Sequence, residues 1–396
     1  MIKDYVLSKK TDRVKKYLGS EGYLEFVEIG YCDETNEQIS DTKVEKELYD
    51  RLCNGLYVKY GEGFEQSLMR RVECEFWFAG IFRLSDRILA FHDLAMFLKE
   101  RKIPYRTTGT TSSAFIFYLL EISFVNPLPP HYHCQNCHSF IWDKSCKDGF
   151  DLPARKCDCG EYYVRDGHDL PLETFWGFEL SDEATEHVVG LIIPESAHQT
   201  AHNFLLNHPL LRHLELRQYI RSSDYYRYDI IELRTEYWPA ESASWHEPLP
   251  PEKIMRVMAK LYKEHGSPIL KAEYNPDTFY GLVKATEMCL NAGKYLSKGE
   301  AIVMDGLATV EELPTSCDDL YELFADKLTK KDIWRASVSL LKGNGIAPHA
   351  REMIEEEWLA DYLSGHMYPK ACNLEWMVAE TKILLIQEGT LNAETT

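Results

Sequence analysis

The sequence predicts a mixed α+β protein with helical ends and a loop-rich middle held by a metal ion. Three observations point there. Apolar residues recur at helical spacing up to about Ala95 and again from Pro251 to Gln387. Residues 126–178 contain five prolines and all five clustered cysteines, a composition that cannot bury much core and needs a staple. The run from His187 to Ile193 is short and apolar, as a buried strand is.

The N-terminal segment 1–41 is polar and mixed, with weak strand character at Tyr23–Val27. Leu48, Leu52, Leu56 and Tyr60 then recur every four residues and define one face of a first helix, which Gly61 and Gly63 break. Phe64, Leu68 and Val72 repeat the pattern, and a third helix is expected over Leu84–Glu100, before Pro104. A small-residue loop, Thr107 to Ser113, leads into an apolar helix over 114–120, for which Ser112 or Ser113 is the expected cap. Tyr225–Leu233 reads as a further strand and Pro239–Pro251 as a linker. Pro251 suits the first turn of the helix that follows. Ile254, Met258, Leu261, Leu320, Leu323 and Leu328 mark apolar faces in the C-terminal part.

At 396 residues the chain has room for two or three domains. We divide it into a segment 1–41, a domain 42–250 with a metal module at 126–178, and a helical domain 251–396. A net charge of −19 excludes a general electrostatic attraction to DNA or anionic membranes. The excess lies outside the middle: Arg101–Leu170 holds eight basic and eight acidic residues. No apolar run is long enough to span a membrane, and Met1–Tyr5 starts charged without an apolar signal core. A cytoplasmic protein with reduced thiols is expected, so the isolated Cys53, Cys74 and Cys289 read as buried thiols.

The clustered cysteines read differently. Cys134 and Cys137 form a CxxC, and Cys157 and Cys159 follow as a CxC after nineteen intervening residues. Four thiolates complete a tetrahedral zinc shell, and paired cysteines at this separation are a strong zinc signal. Such a site is structural, since no coordination position stays open. Cys146, His131, His133 and His138 are close enough in sequence to serve as alternative ligands. Gly160 fits a turn that needs a positive φ.

The residues around this cluster resemble the palm insertion of PolC-type DNA polymerase III alpha subunits. The similarity runs through Asn126–Tyr132, the CxxC, Gly149–Pro153 and Asp166–Phe178. It extends to Leu52–Leu56, Tyr60–Glu62, Trp77–Phe82 and, near the C-terminus, to Lys342–Ile346 and Met367–Ala371. The resemblance implies a reduced polymerase-like palm carrying a zinc module, between a helical N-terminal part and a fingers-like C-terminal part. It implies a truncated relative, since most of the family's chain has no counterpart.

It also implies where chemistry would sit. Nucleotidyl transfer by two metal ions needs bridging carboxylates, which the family supplies as an Asp-x-Asp shortly before an Ala-His-Asn motif. Counting back from Ala201–His202–Asn203, those positions are Val188 and Gly190, which bind no magnesium. Asp229 is the candidate for a third family aspartate, and Asp182, Glu183 and Glu186 read as surface acids. The family's glycine-, serine- and arginine-bearing phosphate loop is degenerate: its arginine falls on Thr108 and its second glycine on Ser112, while Gly109, Thr110 and Ser113 remain. Lys342 and Lys370 stand where the family has basic residues near nucleic acid, and Cys372 replaces a histidine. The expectation is a catalytically inactive PolC-like protein with structural Zn2+ and no catalytic Mg2+, binding DNA or a replisome protein. The alternative is a decoy that mimics part of a host polymerase. A residual polymerase built on Asp229 is the weakest reading, because one carboxylate cannot organise two metals.

Overall fold

A computed structural model describes residues 42–62, 65–177, 187–212, 218–222, 225–228, 230–236, 238, 243–290 and 294–389. The weak strand at Tyr23–Val27, Phe64, the acids at 182, 183 and 186, and Asp229 lie outside these residues. The fold is mixed α+β and rich in helix.

The expected helical periodicity is present. Thr42–Tyr60 is one helix whose Leu48, Leu52 and Leu56 are fully buried. Gln66–Ile81 and Ser85–Glu100 follow and pack against it, burying Leu68, Val72 and a stripe from Ile88 to Leu98. Burying such apolar stripes, rather than local propensity, supplies most of the stability of helices this long.

The strands form two sheets. Arg106–Thr108 (β1), Val189–Pro194 (β5), Gln218–Ser222 (β6), Tyr225–Tyr228 (β7) and Ile231–Glu236 (β8) make a five-stranded sheet in the order β1-β5-β8-β7-β6. β5 pairs antiparallel to β1 and parallel to β8. The parallel step needs a crossover, and the helix His198–Asn207 lies within it. All six residues of β5 are buried, which is why its sequence is a continuous apolar run rather than an alternation. Tyr225–Leu233, expected as one strand, is split between β7 and β8, which pair antiparallel with Tyr228 opposite Ile231. The second sheet has three short antiparallel strands in the order β3-β2-β4: His131–His133 (β2), Phe140–Trp142 (β3) and Val164–Asp166 (β4). Strands of three residues are not stable alone.

Among the described residues two large apolar cores form, with a small third cluster of Ile192, Trp238, Trp245 and Ala379. One is built from residues between Leu48 and Leu233, the other between Ile254 and Met377 with Val125 and Leu170 inserted from the middle of the chain. The helix Pro251–His265 starts on its proline as expected and contacts the helices Phe279–Leu290 and Lys370–Gln387. The stretch read as a linker is not free-running. Ala243–His246 forms a 3₁₀ turn, and Trp245 is buried with its indole N–H donating to the Tyr105 carbonyl at 2.8 Å. Among the described residues no helix is long and apolar enough to cross a membrane.

Candidate metal centre and sheet corner

Each cysteine pair sits on a tight backbone reversal. In the first, the Cys134 N–H donates to the Ser139 carbonyl and the His138 N–H to the Cys134 carbonyl, both at 2.9 Å, with His138 at φ 61°. In the second, the Cys157 N–H donates to the Glu161 carbonyl at 2.8 Å and the Gly160 N–H to the Cys157 carbonyl at 2.9 Å. Gly160 has φ 97°, outside the left-handed well open to other residues. That freedom lets the one-residue-shorter CxC reverse and still face the CxxC.

The four sulfurs lie within 4.8 Å of one another. Cys134 Sγ is 3.5 Å from Cys159 Sγ, and Cys137 Sγ is 3.3 Å from Cys157 Sγ. A tetrahedral four-thiolate zinc site has sulfur–sulfur edges of about 3.8 Å, so the cluster fits such an ion after a small expansion. Cys134 and Cys157 are buried and Cys137 and Cys159 exposed. The Cys159 backbone N–H and the Tyr163 hydroxyl draw the Cys157 thiol down to about 6, and the Glu161 N–H lowers Cys159. The Ser139 N–H pulls Cys137 the same way, but the proton it shares with Cys157 leaves it at about 12. Cys157 and Cys159 are thus drawn towards thiolates, and metal binding would displace the protons that remain. These four cysteines can therefore hold a metal ion.

The alternative ligands are engaged elsewhere or set apart. Cys146 contacts the Asp151 carbonyl through its sulfur. His131 Nδ1 donates to the Pro129 carbonyl at 2.7 Å, and its Nε2 lies 3.3 Å from the Tyr60 hydroxyl. Burial holds His131 below the usual histidine range, so Nε2 accepts. Asn126 donates to Tyr60 and to Asp166, at 2.9 and 2.6 Å, and the Tyr118 hydroxyl donates to Asp166 at 2.9 Å. This buried network joins the three-stranded sheet to the first helix.

The degenerate loop and the carboxylate positions meet at one corner of the larger sheet. Gly190 pairs with Thr108 on one side and Glu232 on the other. Its N–H donates to Thr111 Oγ1 at 3.0 Å. A Cβ at Gly190 would lie 2.5 Å from the Thr108 methyl, so the space a side chain would need is filled. Val188 is half-buried just before β5. Glu232 is buried beside Gly190 and lies 3.7 Å from Arg234. Among the described residues, the cysteine cluster is the group of three or more His, Cys, Asp or Glu whose ligand atoms could share an ion.

The loop itself wraps an internal anion. Glu375, fully buried on the helix Lys370–Gln387, accepts from the hydroxyls of Ser112 and Ser123 at 2.9 and 2.6 Å. It also accepts the backbone N–H of Phe124 at 2.8 Å, Val125 at 3.3 Å and Thr107 at 3.4 Å. Gly109 keeps a positive φ of 64°, and Thr110 precedes the 3₁₀ turn Thr111–Ser113. The expected serine cap is absent. The helix Phe115–Leu119 is capped by Glu75, which accepts from the N–H of Phe115 and Ile116, both at 3.1 Å, while Ser113 Oγ is buried without a partner among the described residues.

No family model matches the chain. Among curated proteins it is 34% identical over 150 residues to a PolC-type DNA polymerase III of Clostridium perfringens, covering 35% of this chain and 10% of that protein. The corresponding protein of Streptococcus agalactiae is 38% identical over 144 residues, 36% of this chain and 8% of its own length. That of Halalkalibacterium halodurans reaches 51% over 74 residues, 18% of this chain and 5% of its length. This chain is a PolC-like relative. It spans a tenth or less of the curated proteins it matches.

Against that relationship, the two lysines differ. Lys342 is exposed after the helix Lys330–Leu341. Lys370, which the resemblance placed near nucleic acid, is buried and donates to the His168 carbonyl at 2.9 Å, so its ammonium ties the C-terminal part to the metal module. Sequence reading missed Glu75, Glu232 and Glu375. An acid inside Asn373–Leu374–Glu375–Trp376–Met377 is the one signal that marks Glu375, since a lone charge in an apolar run needs buried partners.

Proposed function

We propose that this PolC-like protein does not transfer nucleotides and instead binds DNA or a protein of the replication machinery, with zinc in the four-cysteine site as a structural staple. The observation that carries the inactivity is Gly190, whose side-chain space is taken by the Thr108 methyl group. Two-metal catalysis needs carboxylates projecting from that strand. Glu375 adds to the case: it engages two donors of the loop, the Ser112 hydroxyl and the Thr107 N–H. The free thiols of the described residues suit a reducing, cytoplasmic setting.

Primer extension with magnesium or manganese tests the first half. No incorporation is expected, and template-dependent synthesis at any rate above a no-protein control overturns it. Salt-dependent gel shifts with primed DNA test the second half, because phosphate contacts release counterions. The net charge of −19 favours the other partner class, a replication protein engaged by mimicry of a host polymerase. Capture of replication proteins with no detectable DNA binding would select that reading.

A further inference from the structure

A cleft of about 470 Å3 opens where the first helix, the metal module and the C-terminal helices meet. From the helix Lys370–Gln387, Leu374, Val378 and Lys382 line it, while Cys372, Asn373 and Trp376 face a smaller cavity. Its size is that of a small-molecule site, and apolar side chains such as Leu249, Ile254 and Phe279 supply much of its wall.

The charges within it are unevenly satisfied. Four cations line it: Lys59, Lys99, Arg165 and Lys382. Lys99 is paired with Glu121 at 2.5 Å, and Arg165 donates to the Leu152 carbonyl at 2.8 Å and to Glu252. Lys382 donates to the carbonyls of Trp245 and Glu247. The two lining acids are also engaged, Glu121 with Lys99 and Asp166 with Tyr118 and Asn126. Lys59 is different. Its ammonium rests over the Tyr118 ring at 4.0 Å and has no hydrogen-bonding partner among the described residues. Burial lowers its pKa, against the opposing pull of the nearby Glu121 and Asp166 carboxylates. His133, which also lines the cleft, is 7% exposed and its Nδ1 has no partner among the described residues.

We propose that this cleft is a binding site for a small organic anion, its carboxylate or phosphate head paired with Lys59 and its apolar body lying against Leu249, Ile254, Leu374 and Val378. An anionic head gives Lys59 the charge-assisted hydrogen bonds it lacks, and the apolar wall accounts for the rest of the ligand.

Calorimetric titration of the full zinc-loaded chain with 2-naphthoate, 1-naphthyl phosphate and neutral 2-naphthol tests this. At least one of the two anions should bind saturably and about tenfold tighter than the naphthol, and the tighter of the two identifies the head group. Lys59→Met should weaken anion binding about tenfold or more, with Lys59→Arg restoring most of it. Absence of saturable binding up to about 1 mM, equal affinity for the anions and the naphthol, or unchanged affinity in Lys59→Met overturns the proposal.

Discussion

The metal module and the sheet corner make opposite use of their polar groups. In the module, four cysteines converge on a point that an ion can fill, and the surrounding strands are too short to hold themselves. At the corner, groups that converge find partners inside the protein: the Gly190 position meets the Thr108 methyl, and Ser112 and Thr107 of the loop donate to Glu375. One region is open to a ligand from outside; the other is closed by its own residues. The contrast teaches that converging polar groups can mark an open ion site in one region and internal packing in another.

Removing the ion should break the comparison most visibly. Structural zinc sites carry apparent binding free energies of about 10 kcal/mol or more. Chelation, or Cys134→Ser with Cys157→Ser, should release the ion and open residues 126–178 to proteolysis while the helices at 66–100 stay protected. Unchanged protection of 126–178 in metal-free protein would show that the module does not depend on the ion.

Glu375→Gln should cost about 3 kcal/mol, because it places donors against donors in a fully buried site. The exposed Glu356→Gln is the control, with about 0.5 kcal/mol or less expected from urea unfolding. Equal small losses at both positions would mean that Glu375 does not close the loop.

Gly190→Ala should cost about 1–3 kcal/mol through its contact with Thr108, and the cost should largely vanish in a Thr108→Ala background, which removes the opposing methyl. Additive losses in a double-mutant cycle would contradict the packing account.

The smallest effect is pH-dependent. Burial lowers His187, beside the corner, to about 4, with its Nε2–H donating to the Trp176 carbonyl at 3.0 Å. A histidine depressed on folding contributes stability that is complete above the unfolded value and is lost as pH falls through the window from 6.5 to about 4. Relative to His187→Gln, the wild type should lose about 1 kcal/mol between pH 7 and pH 5.5 in paired urea titrations. A gap independent of pH would exclude this.

Much of the fold was legible beforehand because its signals are local. The four-residue recurrence from Leu48 to Tyr60, the apolar run that becomes β5 and Pro251 at a helix start each depend on neighbours within a turn or two. The cysteine pairs were legible for the same reason, each lying on its own reversal. Where reading failed, the cause was distance along the chain. The serine cap at 112–113 was displaced by Glu75, which reaches the helix at Phe115 from forty residues away. Tyr225–Leu233 is rich in strand-forming residues, and a single turn-forming residue, Asp229, is a weak mark of the reversal that divides it between β7 and β8. Lys370 follows a proline near exposed Tyr368 and reads as a surface charge, until the fold brings the His168 carbonyl to it.

By itself the sequence determined the α+β class, the paired cysteines and the lack of acidic side chains at positions 188 and 190, because residue identity and short-range spacing are enough for each. Only the tertiary structure decided that the space at Gly190 is filled, that Glu375 occupies the loop, that Lys370 is internal and that Lys59 faces a cleft without a hydrogen-bonding partner among the described residues. Those facts depend on which buried donor finds which acceptor across 80 to 270 residues of chain, as in the Gly190–Thr111 and Thr107–Glu375 hydrogen bonds. Periodicity carries no information about such pairings; the cost of leaving a buried polar group unpaired is paid or avoided only once the chain has closed on itself.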